Sequence, residues 1–308
     1  MQKRRAARRL LLIGCGDVLE RALPWLERRF RLYATARTAE AAARLRALGV
    51  VPVPADLDRR ASLARLAGIA NALIHSAPPA ATGRTDRRTR RLLAALARPR
   101  GNGPILAPRR AVYIGTSGIY GDCAGAWLPE TRPARPNNDR AWRRLDAEQQ
   151  LRRWARRRHV ELGLLRAPGI YATNRLPVDR VARGDVVLHA AEDSYSNHIH
   201  ADDLARIVSL ALFRARPLRC YHASDDAPQP MADWFDRVAD AAGLARPPRV
   251  SRSEAQTRLS PAMLSYLNES RRMINHRLKV ELGMRLRYAT VDDFFAAHAE
   301  LAANQRKR

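Results

Sequence analysis

The chain has 308 residues, enough for one large or two modest domains with a sizeable core. It carries 56 Lys+Arg against 30 Asp+Glu, a formal charge of +26. No apolar run approaches the roughly 20 residues that span a bilayer, so no membrane partner is expected, and the three scattered cysteines (Cys15, Cys123, Cys220) suit a reducing, cytoplasmic setting without a disulfide framework or zinc site.

The basic start and Leu10-Leu11-Leu12-Ile13-Gly14-Cys15 superficially look like a lipoprotein leader, but the apolar part is too short. It reads instead as a buried strand, Leu10–Ile13, ending in a glycine turn. A helical pattern over Asp17–Phe30 follows despite Pro24. Then come a strand Leu32–Thr35, a helix Ala39–Leu48 closed by Gly49, and a strand Val50–Val53. Leu63–Leu66 lies in a short helix, Ala72–Ile74 is a fourth strand, Asp86–Ala97 a helix before Pro99, and Ala111–Ile114 a fifth strand. The proline-bearing segment Gly125–Asn138 is an ordered loop. A long helix Asp139–Arg158 leads to a sixth strand, Val160–Leu165. Strands separated by helices of this length predict right-handed βαβ units and a parallel sheet. The fold class is therefore α/β: a Rossmann-type doubly wound parallel sheet with a smaller mixed C-terminal substrate part. Residues 8–166 form the nucleotide-binding domain and 167–303 the substrate-binding part, with 197–222 returning to the sheet. Asp202–Leu212 and Met231–Ala242 read as helices, and Pro247–Ser253 as linker or strand.

The charge would draw polyanions by counterion release. Yet the only lysines are Lys3, Lys279 and Lys307, the arginines are spread over many helices, and no zinc-finger or RNA-binding signature accompanies them. Arginine and alanine in place of lysine is also what a GC-rich genome produces, so no nucleic-acid partner is expected. The expected partner is a small-molecule substrate, with the chain a monomer or a homodimer.

Gly14-Cys15-Gly16-Asp17 follows the first strand and opens a helix. Glycine lets the backbone turn tightly and approach a pyrophosphate, and a helix N-terminus supplies free N–H groups and a favourable dipole. Leu19 stands where the full fingerprint has a third glycine. The second strand ends in Thr35-Ala36-Arg37-Thr38, with no acid before Glu40 to hold ribose hydroxyls. A guanidinium at Arg37 suits a 2′-phosphate, so NADP(H) is the preferred cofactor, with NAD(H) possible.

These motifs, together with Thr116-Ser117-Gly118-Ile119-Tyr120-Gly121, Leu165-Arg166-Ala167-Pro168-Gly169-Ile170-Tyr171 and Asn197-His198-Ile199-His200-Ala201-Asp202-Asp203-Leu204, give a chain that resembles an atypical extended short-chain dehydrogenase/reductase of the NAD(P)-dependent epimerase/dehydratase group. The resemblance covers nearly the whole chain. It implies that Asp56 and Leu57 lie beside the adenine, that His75 and Ala77 pass near the cofactor ribose, and that Pro168 and Ile170 border the nicotinamide. It also implies that Thr116 hydrogen-bonds the reacting oxygen, although Thr116 and Ser117 equally suit a strand-terminating cap.

The family's Tyr-x-x-x-Lys pair is missing. No lysine occurs between Lys3 and Lys279, and no tyrosine between Tyr120 and Tyr171. Aligning Glu148-Gln149 with the family helix puts Arg140 at the tyrosine position and Arg144 at the lysine position. Arg144 can supply the cation and a ribose contact. Arg140 cannot replace the phenol, because a guanidinium stays protonated. Tyr120 is the first candidate for the proton carrier, ahead of His198 and His200, with packing as its alternative. Arg271, Arg272 and Arg277 could bind an anionic substrate such as a nucleotide-sugar diphosphate, or be surface charges. The expected function is an NAD(P)-dependent oxidoreductase or epimerase/dehydratase-like enzyme acting on a small polar carbonyl or hydroxyl compound. The alternative is a non-catalytic dinucleotide-binding redox sensor.

Overall fold

The computed structural model describes residues 8–99 and 103–299 and is organised around one seven-stranded parallel sheet. Its strands are β1 (Arg9–Ile13), β2 (Arg31–Ala36), β3 (Val51–Pro54), β4 (Ala72–His75), β5 (Arg110–Thr116), β6 (Glu161–Ala167) and β7 (Arg219–His222). The spatial order is β7-β6-β5-β4-β1-β2-β3, so the chain reverses direction across the sheet between β1 and β4. The crevice outside the carboxyl ends at such a reversal is where doubly wound folds bind ligands.

Leu10, Leu11, Leu12 and Ile13 are all fully buried because both faces of β1 are covered. Leu10 and Leu12 pack in the layer that holds α1 (Asp17–Leu26) and α6 (Ala201–Arg214). Leu11 and Ile13 pack in the opposite layer, with α3 (Arg87–Leu96) and α4 (Asp139–Arg158). That alternation is the period of a strand. α2 (Ala39–Ala47) joins β2 to β3, capped by Thr38, whose hydroxyl accepts from the Ala41 amide at 3.1 Å. α1 stops at Leu26 rather than running to Phe30. Pro24 removes one helical donor, and the chain closes with tighter bonds from the Arg29 and Phe30 amides to the Leu26 carbonyl.

Beyond β6 the elements shorten. α5 (Val178–Ala182), α7 (Met231–Ala242), α8 (Arg252–Arg258) and α9 (Pro261–Leu267) stand over the carboxyl edge of the sheet with two-residue strands between them. Pro247–Ser253 resolves into the strand Arg249–Val250 and the start of α8. The chain returns to the sheet through α6, which packs beside α1, and through β7, paired with β6 from Arg219↔Gly163 to His222↔Arg166. Among the described residues no helix is long and apolar enough to cross a membrane.

Candidate active site

The strand ends nearest the reversal build a cleft from backbone. Gly14 has φ +81, and a Cβ there would lie 2.9 Å from the Cα of Ala77. The turn after β1 is thus pressed against the chain leaving β4, which also brings the Ser76 hydroxyl to the Gly14 carbonyl at 2.5 Å. The Gly14 amide donates to Thr35 Oγ1 at 3.2 Å, tying in β2. Gly16 is different: nothing lies within 4 Å of the place a Cβ would take, and no side chain caps α1. Open space beside a glycine at an uncapped helix N-terminus fits the pyrophosphate of a dinucleotide. Burial pushes the neighbouring Asp17 carboxyl up, but Arg21 at 3.1 Å and Arg175 at 3.3 Å outweigh it and hold the group below the usual carboxylate range. Its charge is therefore compensated. Burial raises the Cys15 thiol to about 12, which leaves it protonated and unreactive at neutral pH.

Arg37 stands exposed just past β2, with no ion pair among the described residues. Asp56 follows β3 and accepts from the Asp58 amide at 2.9 Å, while Leu57 is 8% exposed and part of the core. His75 departs from expectation. Its ring is 2% exposed on the α3 side of the sheet, with Nε2 2.8 Å from Thr89 Oγ1, and burial lowers it to about 3. Only the Ser76–Ala77 backbone reaches the cleft edge.

Beside this cleft lies a cavity of about 510 Å³. Thr116, Pro168 and Ile170 line it, together with Arg140 from α4. Thr116 accepts from the Gly118 amide at 3.1 Å, so it caps the turn after β5 and keeps its own hydroxyl proton free to donate. Trp234 and Phe235 from α7 and Tyr266 from α9 form the far wall.

Tyr120 does not belong to this cavity. It is 1% exposed, and its hydroxyl is fully engaged: Arg166 donates to it at 2.5 Å, and it donates to His222 Nε2 at 2.6 Å. The direction follows from His222 Nδ1, which lies 2.9 Å from the Ile274 carbonyl and must carry the ring proton. Burial lowers His222 to about 3 and raises the Tyr120 phenol, so neither exchanges a proton near neutrality. Arg166 itself pairs with Glu148 at 2.8 Å; burial pushes that carboxyl up, but Arg166 and Arg152 hold it below its usual range. The Arg166–Tyr120–His222 chain is a brace that locks the turn after β5 to the ends of β6 and β7. The two histidine candidates are buried among aromatic rings: His198, which also lines the cavity, is 6% exposed against Trp234 with centroids 4.4 Å apart and has no hydrogen-bond partner at Nδ1, while His200 meets Tyr288 edge-on, and burial lowers them to about 3 and about 4.

The C-terminal arginines are paired within the protein, although Arg271 also lines the cavity and its Nε has no hydrogen-bond partner. Arg271 pairs with Glu269 at 2.8 Å and donates to the Gly121 carbonyl, Arg272 stacks on Tyr195 at 4.4 Å, and Arg277 lies 3.5 Å from Glu130. Arg144 reaches back toward the Ile114 carbonyl at 3.5 Å, inside the sheet edge rather than in the cavity.

Two cavity residues escaped the sequence reading. Tyr266 receives a hydrogen bond from Arg140, whose guanidinium also lies over its ring at 5.5 Å. Arg180, on α5, is 7% exposed yet lines the cavity. Neither sits in a motif, and a sequence separation of 126 between Arg140 and Tyr266 leaves no local signal of their contact.

No family model matches the sequence, and no curated protein matches it. Solved structures do. A functionally unknown conserved protein from Silicibacter pomeroyi DSS shares 26% identity, covering 97% of this chain and 99% of that one, with a TM-score of 0.72. A dTDP-glucose 4,6-dehydratase from Streptomyces venezuelae, solved with NAD bound, shares 18% identity over 97% and 98% of the two chains, with a TM-score of 0.73. A UDP-glucose 4-epimerase from Thermotoga maritima, solved with UDP-glucose, shares 14% over 97% and 98%, also at 0.73. The chain therefore has, end to end, the Rossmann-type fold that NAD-dependent epimerases and dehydratases also use.

Proposed function

We propose that this chain is an NAD(P)-dependent oxidoreductase or epimerase/dehydratase-like enzyme, with NADP(H) preferred, acting on a small polar carbonyl or hydroxyl compound. The observation that supports it is the adjacency of two features at one sheet edge: the open backbone cradle at Gly16 and the Thr116 cavity. A bound nicotinamide supplies hydride exchange, which no side chain can perform. In this reading the free N–H groups at the start of α1 hold the pyrophosphate, and Arg37 pairs with the 2′-phosphate. Asp56 and the Ser76–Ala77 backbone border the nucleoside, and Pro168 and Ile170 wall the nicotinamide end. Thr116 donates to the reacting oxygen. The proton moves through the Tyr266 phenol, which replaces the family tyrosine from a different element. Arg140, standing where that tyrosine would be, positions the phenol rather than replacing it. A phenol held by a cation is the pairing general acid–base catalysis requires.

The test is a fluorescence titration with NADPH and NADH, followed by turnover of a panel of small aldehydes, ketones and alcohols. Tyr266→Phe is expected to lower turnover by at least about 100-fold with cofactor affinity unchanged; full turnover in that variant would remove Tyr266 from the mechanism. The missing Tyr-x-x-x-Lys pair favours a second reading, a dinucleotide-binding redox sensor. Tight NADPH binding with no turnover of any panel compound would support it.

A further inference from the structure

The cavity contains a buried cation whose hydrogen-bonding capacity is largely unmet. Arg180 is 7% exposed, and its guanidinium lies over the Phe235 ring at 4.0 Å. Its contacts are poor acceptors. One terminal nitrogen meets the Met263 sulfur at 2.8 Å, and the other meets the Val186 carbonyl at a long 3.4 Å. Nε has no hydrogen-bond partner and its nearest carboxylate, Asp185, is 3.7 Å away and already shared with Arg183 at 3.2 Å. A thioether is a weak acceptor, and an incompletely paired buried charge is unfavourable. Burial pulls the Arg180 guanidinium below its usual range, against the attraction of Asp185. Arg140 and Arg175 also line the cavity, whereas Glu269, the acid that lines it, is already held by Arg271 at 2.8 Å.

We propose that Arg180 is the anchor for an oxyanion carried by the substrate, a carboxylate or a phosphate ester, so that the substrate class is a small hydroxy- or oxo-acid or its phosphorylated counterpart. This inference deepens the oxidoreductase reading and rests on it for the word substrate. The planar fork suits both anions, because it donates two parallel N–H bonds to two oxygens. Phe235 and Met263 hold the plane of the fork, so it is organised before the ligand arrives. The anion would complete the hydrogen bonds that protein groups leave unmade.

The experiment uses the full chain and isothermal titration with two probes, sodium malonate for the carboxylate and sodium phosphate for the phosphate, against sodium chloride at matched ionic strength. Arg180→Met removes the fork while keeping an apolar side chain, and Arg28→Gln, on the exposed surface, controls for one lost charge. The expected result is binding of at least one probe by the natural chain and by Arg28→Gln, weakened at least about tenfold in Arg180→Met, with NADPH affinity unchanged. Malonate alone would identify the carboxylate, and phosphate alone the phosphate ester. Arg180→Met should also melt no lower than the natural chain in chloride, since it relieves a buried, poorly paired charge. Equal probe binding by Arg180→Met, no probe binding beyond chloride, or a marked fall in melting temperature would each overturn the proposal, the last by showing a structural cation. A natural chain that binds neither NADPH nor NADH would defeat the oxidoreductase reading while leaving the anion result intact.

Discussion

The two halves of the site are held by different forces. The side proposed to take the nucleotide is a backbone construction: Gly14 against Ala77, the Ser76 hydroxyl on a carbonyl, and four apolar residues of β1 buried on both faces. The side proposed to take the substrate is held by buried charge and hydrogen-bonded rings: Glu148, Arg166, Tyr120 and His222 in sequence behind the cavity, then Arg180 against Phe235 within it. A backbone construction tolerates changes of pH and salt but not an added methyl group. A buried polar brace does the reverse, because each member is indispensable to the next and the low-dielectric surroundings magnify any loss.

Acid should separate them most widely. Burial lowers His75, His198 and His222 each to about 3 and His200 to about 4. An unfolded histidine titrates near 6.5, so below that value the unfolded chain binds protons that the folded chain refuses. Stability is fully present above about pH 6.5 and falls as pH drops toward about 3. Each histidine contributes about 1.4 kcal/mol per pH unit in that window, and the four together about 5 down to about pH 4. Urea unfolding at pH 7, 6 and 5 would measure the slope. Because His198 and His222 lie on the side proposed to take the substrate, His198→Phe with His222→Gln should remove roughly half of that slope. A slope that survives both changes would mean that the acid sensitivity does not reside there.

Removing one partner of the brace comes next. Arg166→Met leaves Glu148 with only Arg152, at 2.9 Å, and leaves the Tyr120 hydroxyl without its donor. The expected loss is about 3 kcal/mol, visible as a lower urea midpoint, with NADPH affinity per folded molecule unchanged. A simultaneous loss of cofactor binding would show that the two halves are coupled rather than separately built.

The same division explains what the sequence could and could not reveal. β1, its glycine turn and the long helix Asp139–Arg158 are legible because their causes are local: a continuous apolar run, a turn that only glycine fits, and an Asn138 cap. Thr116, Pro168 and Ile170 are legible as edge residues because each lies at the end of a sheet strand or just beyond it, and they line one cavity. Tyr120 was misjudged because a motif fixes where the backbone goes but not which way a side chain turns. Its partners, Arg166 and His222, are 46 and 102 residues away. Arg180 and Tyr266 were hidden for the same reason, with the added difficulty that one arginine among so many carries no mark.

A smaller effect tests the backbone half. Gly14→Ala forces a Cβ to 2.9 Å from Ala77 at a φ of +81. The cost should be about 2 kcal/mol, read from thermal melts. Gly16→Ala meets nothing and has an ordinary φ of −113, so its stability should change by only about 0.5 kcal/mol. Its NADPH affinity should nevertheless fall, since the new methyl group would occupy the open space assigned to the pyrophosphate. If Gly16→Ala binds NADPH as the natural chain does, the cradle is not there.

The smallest expected change is the most selective. Arg37 is exposed at the end of β2 and has no ion pair among the described residues, although it contributes to holding the Asp58 carboxyl low. An exposed charge of this kind adds little to stability, so Arg37→Asp should melt within about 0.5 kcal/mol of the natural chain. Its effect should fall on the choice of cofactor. A guanidinium facing a 2′-phosphate favours NADPH, whereas a carboxylate repels that phosphate and accepts from the ribose hydroxyls of NADH. A change of about 1.4 kcal/mol, tenfold in the affinity ratio, is expected toward NADH. The ratio also discriminates between a specific contact and the general field of a chain carrying +26. Replacing the exposed Arg28 instead should move the ratio far less, because a distant surface charge acts on the extra phosphate only through a screened, long-range field.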